Sequence, residues 1–381
     1  MTEDKKMNSI FIHRIFDTIA SSILSVFVPI IIINYTGKIW LAILFLILSY
    51  SLAILIMSIF RKFIKKYPVL CIILHVIPLF VIQILLSFCE LNLLIILILG
   101  VMNALQYAFY WTPLNTIFSY SSKSADVARF QMGELLGSII FTLASGFILS
   151  SNWDSSLLIV CLSAFVFYFL SIIPLLINYK EIKKFTSKDI DFKVKDLLKT
   201  NKKYFIFYLF SGFNNHIFGT IIPIYLFINN LEFCSIAIIL ASTYVLSIFT
   251  NYIAKYLCCK RKAMLSVLIG TILTVLSYVV LFTVHIPVVL WICGTLVGII
   301  FPFIDVPTFS KFIITIKKQK SVSSSMNLCV IFDSALKPFA LSTFFLFASF
   351  PLLFGIGCAS AVTALFISKT FLVKNKSHFK K

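Results

Sequence analysis

Six charged residues that lie well inside long apolar stretches of the sequence are the residues best placed to do chemistry. An ionised side chain is costly in an apolar environment, so such residues usually transfer protons, bind ions or contact a substrate. Three of the acids are predicted to be proton-coupling groups, with Asp333 and Asp17 ahead of Asp305. The full set is Arg14, Asp17, Glu134, Asp305, Asp333 and Lys337.

Asp333 and Lys337 are predicted to form an ion pair. They are four residues apart, so they share one face of a helix. Asp333 follows the start of its apolar stretch, at residue 323, by ten residues, which places it roughly 15 Å along a helix. This depth is close to the middle of a membrane. The pair is interpreted as a titratable group in a central cavity, and the alternative is a static pair that joins two helices.

Two further pairs of opposite charge are candidates for gate or ion-pair contacts. Arg14 and Asp17 are three residues apart near the start of an apolar stretch. They could form either a helix-end ion pair or part of the coupling machinery. Glu134 follows Arg129 by five residues, and these two are predicted to form a salt bridge at an inner gate.

Asp305 has proline on both sides. It lies between Pro302 and Pro307, and a proline within a helix removes a backbone hydrogen bond and bends the helix. A carboxylate at such a bend is interpreted as a cation or proton site that faces a cavity. The alternative is a gate contact with a basic loop.

Two polar, aromatic-rich segments are candidates for binding an organic molecule. They read SGFNNHIFG and MNALQYAFYWTPLN. Aromatic faces and amides suit amphiphilic or cationic compounds, through cation–π contacts and hydrogen bonds. Ordinary packing is the alternative, and His75, which lacks such polar neighbours, is assigned to packing. The substrate-binding candidates are Asn214, Asn215, His216, Asn103, Gln106, Tyr110 and Trp111.

Composition excludes several classes of protein. Of the 381 residues, 60% are hydrophobic and 12% are charged, against roughly 45–50% and ~25% in a soluble domain. A soluble enzyme is therefore excluded, and the net charge of +19 does not indicate a nucleic-acid partner. The nine cysteines form no CxxC pair, and no nucleotide-binding loop is present. We expect no enzymatic activity, no catalytic residues, no metal and no cofactor.

The apolar stretches predict an all-α polytopic membrane protein, since about 20 apolar residues are needed to cross a bilayer as a helix. Twelve such stretches are present, numbered here as spans 1 to 12. They cover residues 10–33, 39–60, 69–88, 92–118, 130–150, 156–178, 204–228, 234–255, 263–284, 287–314, 323–347 and 350–372.

The loops between the spans predict their orientation. Basic residues cluster in alternate loops, as in 61–66, 260–262 and 317–320, whereas Lys38 is the basic residue in the loops of the other side. Basic loops face the cytoplasm in membrane proteins. With an even number of spans, both termini are predicted to be cytoplasmic. We expect a multi-pass protein of the plasma membrane that contacts lipids and is monomeric.

The two halves of the sequence repeat with a shift of 194 residues. Under this shift Pro29 matches Pro223, Gly100 matches Gly294, and further proline, tyrosine and phenylalanine pairs agree without a gap. Two six-helix repeats in tandem are predicted to be related by a pseudo-two-fold axis along the membrane normal. The predicted division is an N-terminal bundle at 1–178, a basic cytoplasmic linker at 179–203 and a C-terminal bundle with a short basic tail at 204–381.

Spans and loops together resemble the major facilitator superfamily over essentially the whole chain. Two sets of six spans, inner termini and a long central linker are typical of that family. Its motif between spans 2 and 3 is matched in part by FRKFIKKYPVL, in which Lys62, Lys65 and Lys66 keep the cationic positions. The resemblance implies a secondary transporter that works by alternating access, with spans 1, 4, 7 and 10 lining the pathway.

The sequence as a whole predicts proton-coupled efflux of a small, partly apolar or cationic compound, with protons or another ion as the coupling species. One alternative is a flippase for lipids or lipid-linked precursors, with Arg14 and Lys337 binding phosphate. Arg61 and Ile64 replace two residues of the family's loop motif. A transport-inactive sensor or scaffold is therefore the other alternative.

Overall fold

The computed structural model describes most of the chain as helix. The described residues are 3–121, 126–151, 153, 155–180, 182, 193–283, 287–347 and 350–372. Within these ranges every regular element is helical. The predicted gate residues Arg129 and Glu134 lie on a described helix, but their side chains are outside the described part of the structure.

The first six spans have the following bounds. Span 1 is Glu3–Leu24 and Val28–Thr36, span 2 is Ile39–Ile59, span 3 is Pro68–Leu74 and Val76–Phe88, span 4 is Leu93–Ser121, span 5 is Asp126–Ser150 and span 6 is Ser156–Ile177. A short helix, Arg61–Lys66, lies between spans 2 and 3.

The last six spans follow the central linker. Span 7 is Val194–His216, a π-helical turn at Ile217–Ile221 and Ile222–Ile228. Span 8 is Phe233–Cys259, span 9 is Ala263–Thr283, span 10 is Pro287–Lys318, span 11 is Val322–Phe347 and span 12 is Phe350–Leu372. The side of the bundle that carries the basic loops is called the basic side below, and the other is called the opposite side.

Ten of these helices are long and apolar enough by themselves to cross a membrane, counted over the described residues. The two others are Asp126–Ser150, of which Leu135–Ser150 counts as a shorter apolar helix, and Val322–Phe347. The second is less apolar because it begins with serines and contains Asp333 and Lys337. Both are of span length and pack among the others, which confirms the twelve-span architecture.

The same hydrogen bond occurs in both halves. Ser49 Oγ on span 2 donates to the carbonyl oxygen of Gly100 on span 4 at 3.5 Å. Thr243 Oγ1 on span 8 donates to the carbonyl oxygen of Gly294 on span 10 at 3.0 Å. Each residue of the second bond lies 194 positions after its counterpart in the first. The repeat detected in the sequence is therefore a repeat of packing geometry.

The first helix of each half is interrupted just before a duplicated proline. Pro29 and Pro223 lack the N–H that would bond to the carbonyls of Ser25 and Gly219, and a proline ring also clashes with the carbonyl four residues earlier. In span 1 the chain leaves the helix after Leu24 and resumes it at residue 28. In span 7 the turn widens into a π-helix at the equivalent place. The prolines account for both interruptions.

Span 7 begins earlier than the sequence predicts. Its helix starts at Val194, inside the stretch assigned to the linker. The extension packs against the end of span 10, because Leu197 is buried and Asn201 Nδ2 donates to Gln319 Oε1 at 2.9 Å. Residues 183–192 of the predicted linker lie outside the described residues, and the domain boundaries remain a prediction.

The two bundles close on each other at the opposite side. The Cα of Gly146 on span 5 packs directly against Ala237 and the start of span 8, so closely that a Cβ there would overlap Ala237. Next to it the backbone N–H of Cys234 donates to Ser150 Oγ at 2.8 Å. Glycine is required at residue 146 because the two helices approach each other there without room for a side chain.

Gly146→Val is expected to force spans 5 and 8 apart. Overpacking of a tight contact costs about 1–3 kcal/mol, so the melting temperature of the purified protein should fall. Gly355→Val is the matched control, because a Cβ on Gly355 meets nothing within 4 Å. Equal melting temperatures for the two variants would contradict the close packing at residue 146.

At the basic side, span 11 joins the two bundles. Asn327 Nδ2 donates to the backbone carbonyl of Met57 on span 2, and Thr112 Oγ1 on span 4 contacts Asn327 Oδ1, both at 3.4 Å. The rings of Phe118 and Phe309, on spans 4 and 10, lie parallel with centroids 6.5 Å apart. A space remains between the bundles, bounded by these contacts and by the closure at the opposite side.

Candidate functional site

The space between the bundles is a cavity of about 390 Å³, within the ~300–1,000 Å³ usual for small-molecule sites. Both halves line it. Aromatic lining residues are Tyr50, Tyr107, Trp111, Phe118, Tyr208, Phe301 and Phe309, and ionisable ones are Arg14, His216, Asp305, Asp333 and Lys337. Such a surface can hold an organic compound that has both rings and polar groups.

The structure brings together about half of the residues that the sequence singles out. Arg14, Trp111, Asn215, His216, Asp305, Asp333 and Lys337 line the cavity. Asp17 and Tyr110 are buried directly behind Arg14. Asn103, Gln106 and Asn214 do not contribute to its lining.

Asn214 faces another helix. Its Oδ1 accepts a hydrogen bond from the Tyr278 hydroxyl on span 9 at 3.0 Å, and its Nδ2 donates to the Phe210 carbonyl. The side chain therefore lies within the C-terminal bundle, between spans 7 and 9. Asn215 and His216 next to it turn towards the cavity.

The π-turn helps span 7 present several polar groups at once. In a regular α-helix, residues five apart point in different directions, whereas a π-turn closes i→i+5 hydrogen bonds and brings them onto one face. Asn215, His216 and Thr220 all line the cavity. The interruption before Pro223 thus widens the polar strip that span 7 offers.

Asp333 and Lys337 form the predicted ion pair. The Nζ atom of Lys337 lies 2.8 Å from Asp333 Oδ2 and donates to the Tyr107 hydroxyl at 3.3 Å. It also lies 5.1 Å from the ring centroid of Tyr50, a cation–π contact. On the other side, the Cα of Gly212 on span 7 is packed against the backbone and carboxylate of Asp333. The pair therefore links spans 2, 4, 7 and 11.

His216 lies beside this pair. Its ring packs edge-on against Tyr50 with centroids 4.7 Å apart. The side chain lines the cavity although the residue is only 4% exposed. Its Nε2 has no hydrogen-bond partner among the described residues. A buried polar atom that faces a cavity without a partner is a place where a ligand or water would bind.

Arg14 connects the cavity to a buried acid. Its Nη1 donates to the Tyr110 hydroxyl at 2.6 Å and to Asp17 Oδ2 at 3.3 Å. Its guanidinium also lies 4.8 Å from the ring centroid of Trp111. Arg14 and Trp111 line the cavity and Asp17 does not, so the arginine lies between Asp17 and the cavity.

His75, which the sequence analysis assigns to packing, contacts Asp17 in the structure. Its Nε2 lies 3.1 Å from Asp17 Oδ1, and its Nδ1 contacts the backbone carbonyl of Ile72. A carbonyl oxygen only accepts hydrogen bonds, so Nδ1 carries a proton. The Nε2 contact then needs a second proton, held either by the imidazole or by the carboxyl group. Asp17 and His75 thus form a buried hydrogen-bonded pair within the N-terminal bundle.

His13 completes the buried polar cluster in the N-terminal bundle. Its Nδ1 donates to the carbonyl of Ser171 at 2.9 Å, and its ring packs edge-on near His75 with centroids 6.4 Å apart. Its Nε2 has no hydrogen-bond partner within the described part of the chain. The cluster combines residues of spans 1 and 3, namely His13, Asp17 and His75. The sequence of either span alone does not predict this contact.

Asp305 joins the two bundles on the basic side. Its Oδ2 accepts a hydrogen bond from Gln131 Nε2 on span 5 at 2.6 Å. Pro307 frees the carbonyl of Phe303 four residues earlier, and that carbonyl accepts a hydrogen bond from Ser266 Oγ at 2.8 Å. The carbonyl that the proline frees thus keeps a hydrogen-bond partner, and Asp305 faces the cavity.

Metal-ligating residues do not cluster in the described part of the chain. No group of three or more His, Cys, Asp or Glu residues there is arranged to hold a metal ion. The site as described is one of aromatic rings, two buried ion pairs and hydrogen-bonding groups.

The comparisons with known proteins agree on the fold. A family model, the Major Facilitator Superfamily, matches residues 10–332, whereas no curated protein matches the chain by sequence. A bacterial homologue of the iron transporter ferroportin in its outward-facing state superposes with a TM-score of 0.72 at 12% identity, over 98% of this chain and 100% of that chain. Its inward-facing state gives 0.65 at 12% identity, over 96% and 98%. The human organic anion transporter MFSD10 gives 0.60 at 10% identity, over 96% and 99%.

Proposed function

The chain belongs to the major facilitator superfamily, and we propose that it exports a small, partly apolar organic compound by proton-coupled alternating access. As a member of that superfamily it is a multi-pass membrane carrier and not an enzyme. Binding energy in such a carrier is used to change which side of the membrane the central cavity faces.

The lining of the cavity supports an organic substrate. Aromatic side chains from spans 2, 4, 7 and 10 face the space, and aromatic surfaces bind apolar and planar groups well. Structural neighbours are named for iron and for organic anions as their cargo. Rings together with buried charges favour the organic class for this chain.

The buried contact between Asp17 and His75 supports the proposal of proton coupling, because a carboxylate and an imidazole in contact can share a proton. When that proton is bound, the pair offers Arg14 less negative charge than when it is lost. Arg14 then redistributes between Asp17 and the cavity that it lines. Proton binding in the N-terminal bundle would in this way change the affinity of the cavity for substrate.

Topology supports export as the direction. We take the basic side to be cytoplasmic by the positive-inside rule, which places both termini in the cytoplasm, in a monomer of the plasma membrane. The cavity is lined by the basic-side halves of spans 4 and 5, through Asn115 and Gln131. At the opposite side the bundles are closed around Gly146. We propose export because the cavity reaches the basic-side halves of these spans, from which an opening would lead to the cytoplasm.

The experiment measures accumulation of a compound panel in energised everted membrane vesicles, with and without a protonophore. We expect at least one compound to accumulate in a gradient-dependent way. Asp17→Asn and His75→Gln should each reduce that accumulation by at least about tenfold, since neither can hold the shared proton. Exchange of labelled for unlabelled compound without a gradient should persist, because it needs binding but no net proton transfer.

Asp196→Asn is the matched control, because Asp196 is exposed at the start of span 7, away from the cavity. Accumulation that resists the protonophore, with Asp17→Asn unchanged, would remove proton coupling from the proposal. If no compound moves in any variant, export of small compounds is wrong, and a labelled-lipid flipping assay should follow.

Asp333 is the second candidate for the coupling proton. Its carboxylate lines the cavity and is 23% exposed, whereas that of Asp17 is 2% exposed. Water and substrate can therefore reach Asp333 directly. Asp333→Asn in the same vesicles separates the two sites, because the variant that loses gradient dependence but keeps exchange identifies the coupling acid.

A further inference from the structure

We propose that the cavity recognises a carboxylate group, held by Lys337 and His216, on a small aromatic acid. This inference rests on the proposed function, because it names the class of compound that the same cavity takes. It rests on two buried polar groups whose hydrogen-bonding capacity is not used within the described part of the chain.

Lys337 has a donor to spare. An ammonium group carries three N–H donors, and two of them are used by Asp333 Oδ2 at 2.8 Å and by the Tyr107 hydroxyl at 3.3 Å. Among the described residues no third acceptor bonds to it. The residue is 6% exposed and lines the cavity, so a ligand that enters the cavity can reach the third donor.

His216 supplies the second group. Its Nε2 is buried and has no partner among the described residues. Its ring centroid lies 4.7 Å from that of Tyr50, and Lys337 Nζ lies 5.1 Å from the same centroid. Both groups therefore border one tyrosine ring, and in the tautomer that carries the proton on Nε2, one carboxylate with two oxygens can accept from both.

The charges around this point favour an anion. Lys337 is a fixed positive charge on the cavity wall, and Arg14 is a second one. The rings of Tyr50 and Tyr107 leave Lys337 little room to withdraw from a ligand. A carboxylate adds to the contacts that Lys337 already makes, whereas Lys337 repels a cationic ligand, whose partners in the lining would be Asp305 and Asp333.

The rest of the cavity suits the ring of such an acid. Trp111, Phe118, Tyr208 and Phe309 line it together with the groups above. Flat aromatic compounds stack on such side chains with little loss of conformational freedom. An aryl acid would thus place its carboxylate at Lys337 and its ring among these residues.

The test compares three probes that share one ring: 1-naphthylacetate, 1-naphthylacetamide and 1-(1-naphthyl)ethylamine. Binding to the purified full-length protein in detergent is measured by titration calorimetry. We expect the carboxylate to bind at least about tenfold more tightly than the amide, and the amine to bind most weakly. Lys337→Met should remove the preference, so that carboxylate and amide bind alike, and Lys337→Arg should keep it.

Folding controls keep the result interpretable. The double variant Asp333→Asn/Lys337→Gln removes both charges without leaving one unpaired, and it too should bind carboxylate and amide alike. Lys369→Met, at an exposed position at the end of span 12, should behave as wild type. His216→Gln should weaken carboxylate binding more than amide binding.

Several outcomes would overturn the inference. The amide or the amine binding as tightly as the carboxylate would do so, as would a preference that survives in Lys337→Met, or no binding of any probe. If phosphatidylglycerol vesicles bound to the site and naphthylacetate did not, the anion site would be assigned to a lipid headgroup instead. Carboxylate-selective binding without transport in vesicles would leave the inference standing and refute the proposed function.

Discussion

Arg14→Met is expected to abolish transport and to lower the free energy of unfolding by about 3–5 kcal/mol. The guanidinium bonds to both Asp17 and Tyr110 at a position that is 7% exposed. Removing one partner of a buried ion pair leaves the other charge uncompensated, which carries a cost of that size. The cation–π contact with Trp111 is lost as well. Chemical or thermal unfolding in detergent measures the stability, and vesicle accumulation measures transport.

Arg14→Lys is the informative control for that variant. Lysine keeps the positive charge but lacks the planar guanidinium that lies over the Trp111 ring, so it is not equivalent to arginine at this position. We expect most of the stability to return while transport stays well below wild type. Wild-type transport in Arg14→Met would show that Asp17 does not act on the cavity through this residue.

Asp333→Leu is the second variant with a large expected effect. It leaves the ammonium of Lys337 buried, with the Tyr107 hydroxyl as its one remaining acceptor among the described residues, so we expect a loss of about 3–5 kcal/mol in stability. The double variant Asp333→Leu/Lys337→Met removes both charges, and replacing a buried pair with apolar side chains is often neutral. It should recover most of the stability but no transport.

The comparison of the single with the double variant separates the effect of the ion pair on stability from its effect on transport. A pair that only joins helices would allow the double variant both to fold and to transport. If the double variant transports at the wild-type rate, the pair is structural, and the interpretation of a static pair that joins two helices is right. Unfolding curves and vesicle assays on the same preparations decide between the two.

Much of the fold was predictable because it depends on composition and period. Apolar stretches of membrane length predicted the spans, and the 194-residue shift predicted that both halves share their packing. The bond from Ser49 to Gly100 and its copy from Thr243 to Gly294 confirm this in atomic terms. Span 7 still started early, because the sequence did not show that Leu197 and Asn201 have span 10 to pack against.

The candidate site was predictable only in part. Helical spacing was enough to bring Asp333 next to Lys337 and Arg14 next to Asp17. Contacts between distant spans were not visible, so His75 looked like a packing residue although it lies against Asp17. The one signal available was that Asp17 lies in an apolar run and needs a polar partner from another span. Asn214, Asn215 and His216 are consecutive, and which of them face the cavity depends on how span 7 packs against span 9, where Asn214 bonds to Tyr278.

The interruptions before Pro29 and Pro223 indicate that the two halves arose by duplication. A proline at equivalent positions of both halves, each preceded by a broken helix, dates most simply from an ancestral six-helix unit, before its duplication and fusion. The copies then diverged, one into a tight turn and the other into a π-turn. Asp17 and Asp333 have no acidic counterparts under the same shift, where Ser211 and Ile139 stand. The two halves therefore share one scaffold but differ in the charges that it carries.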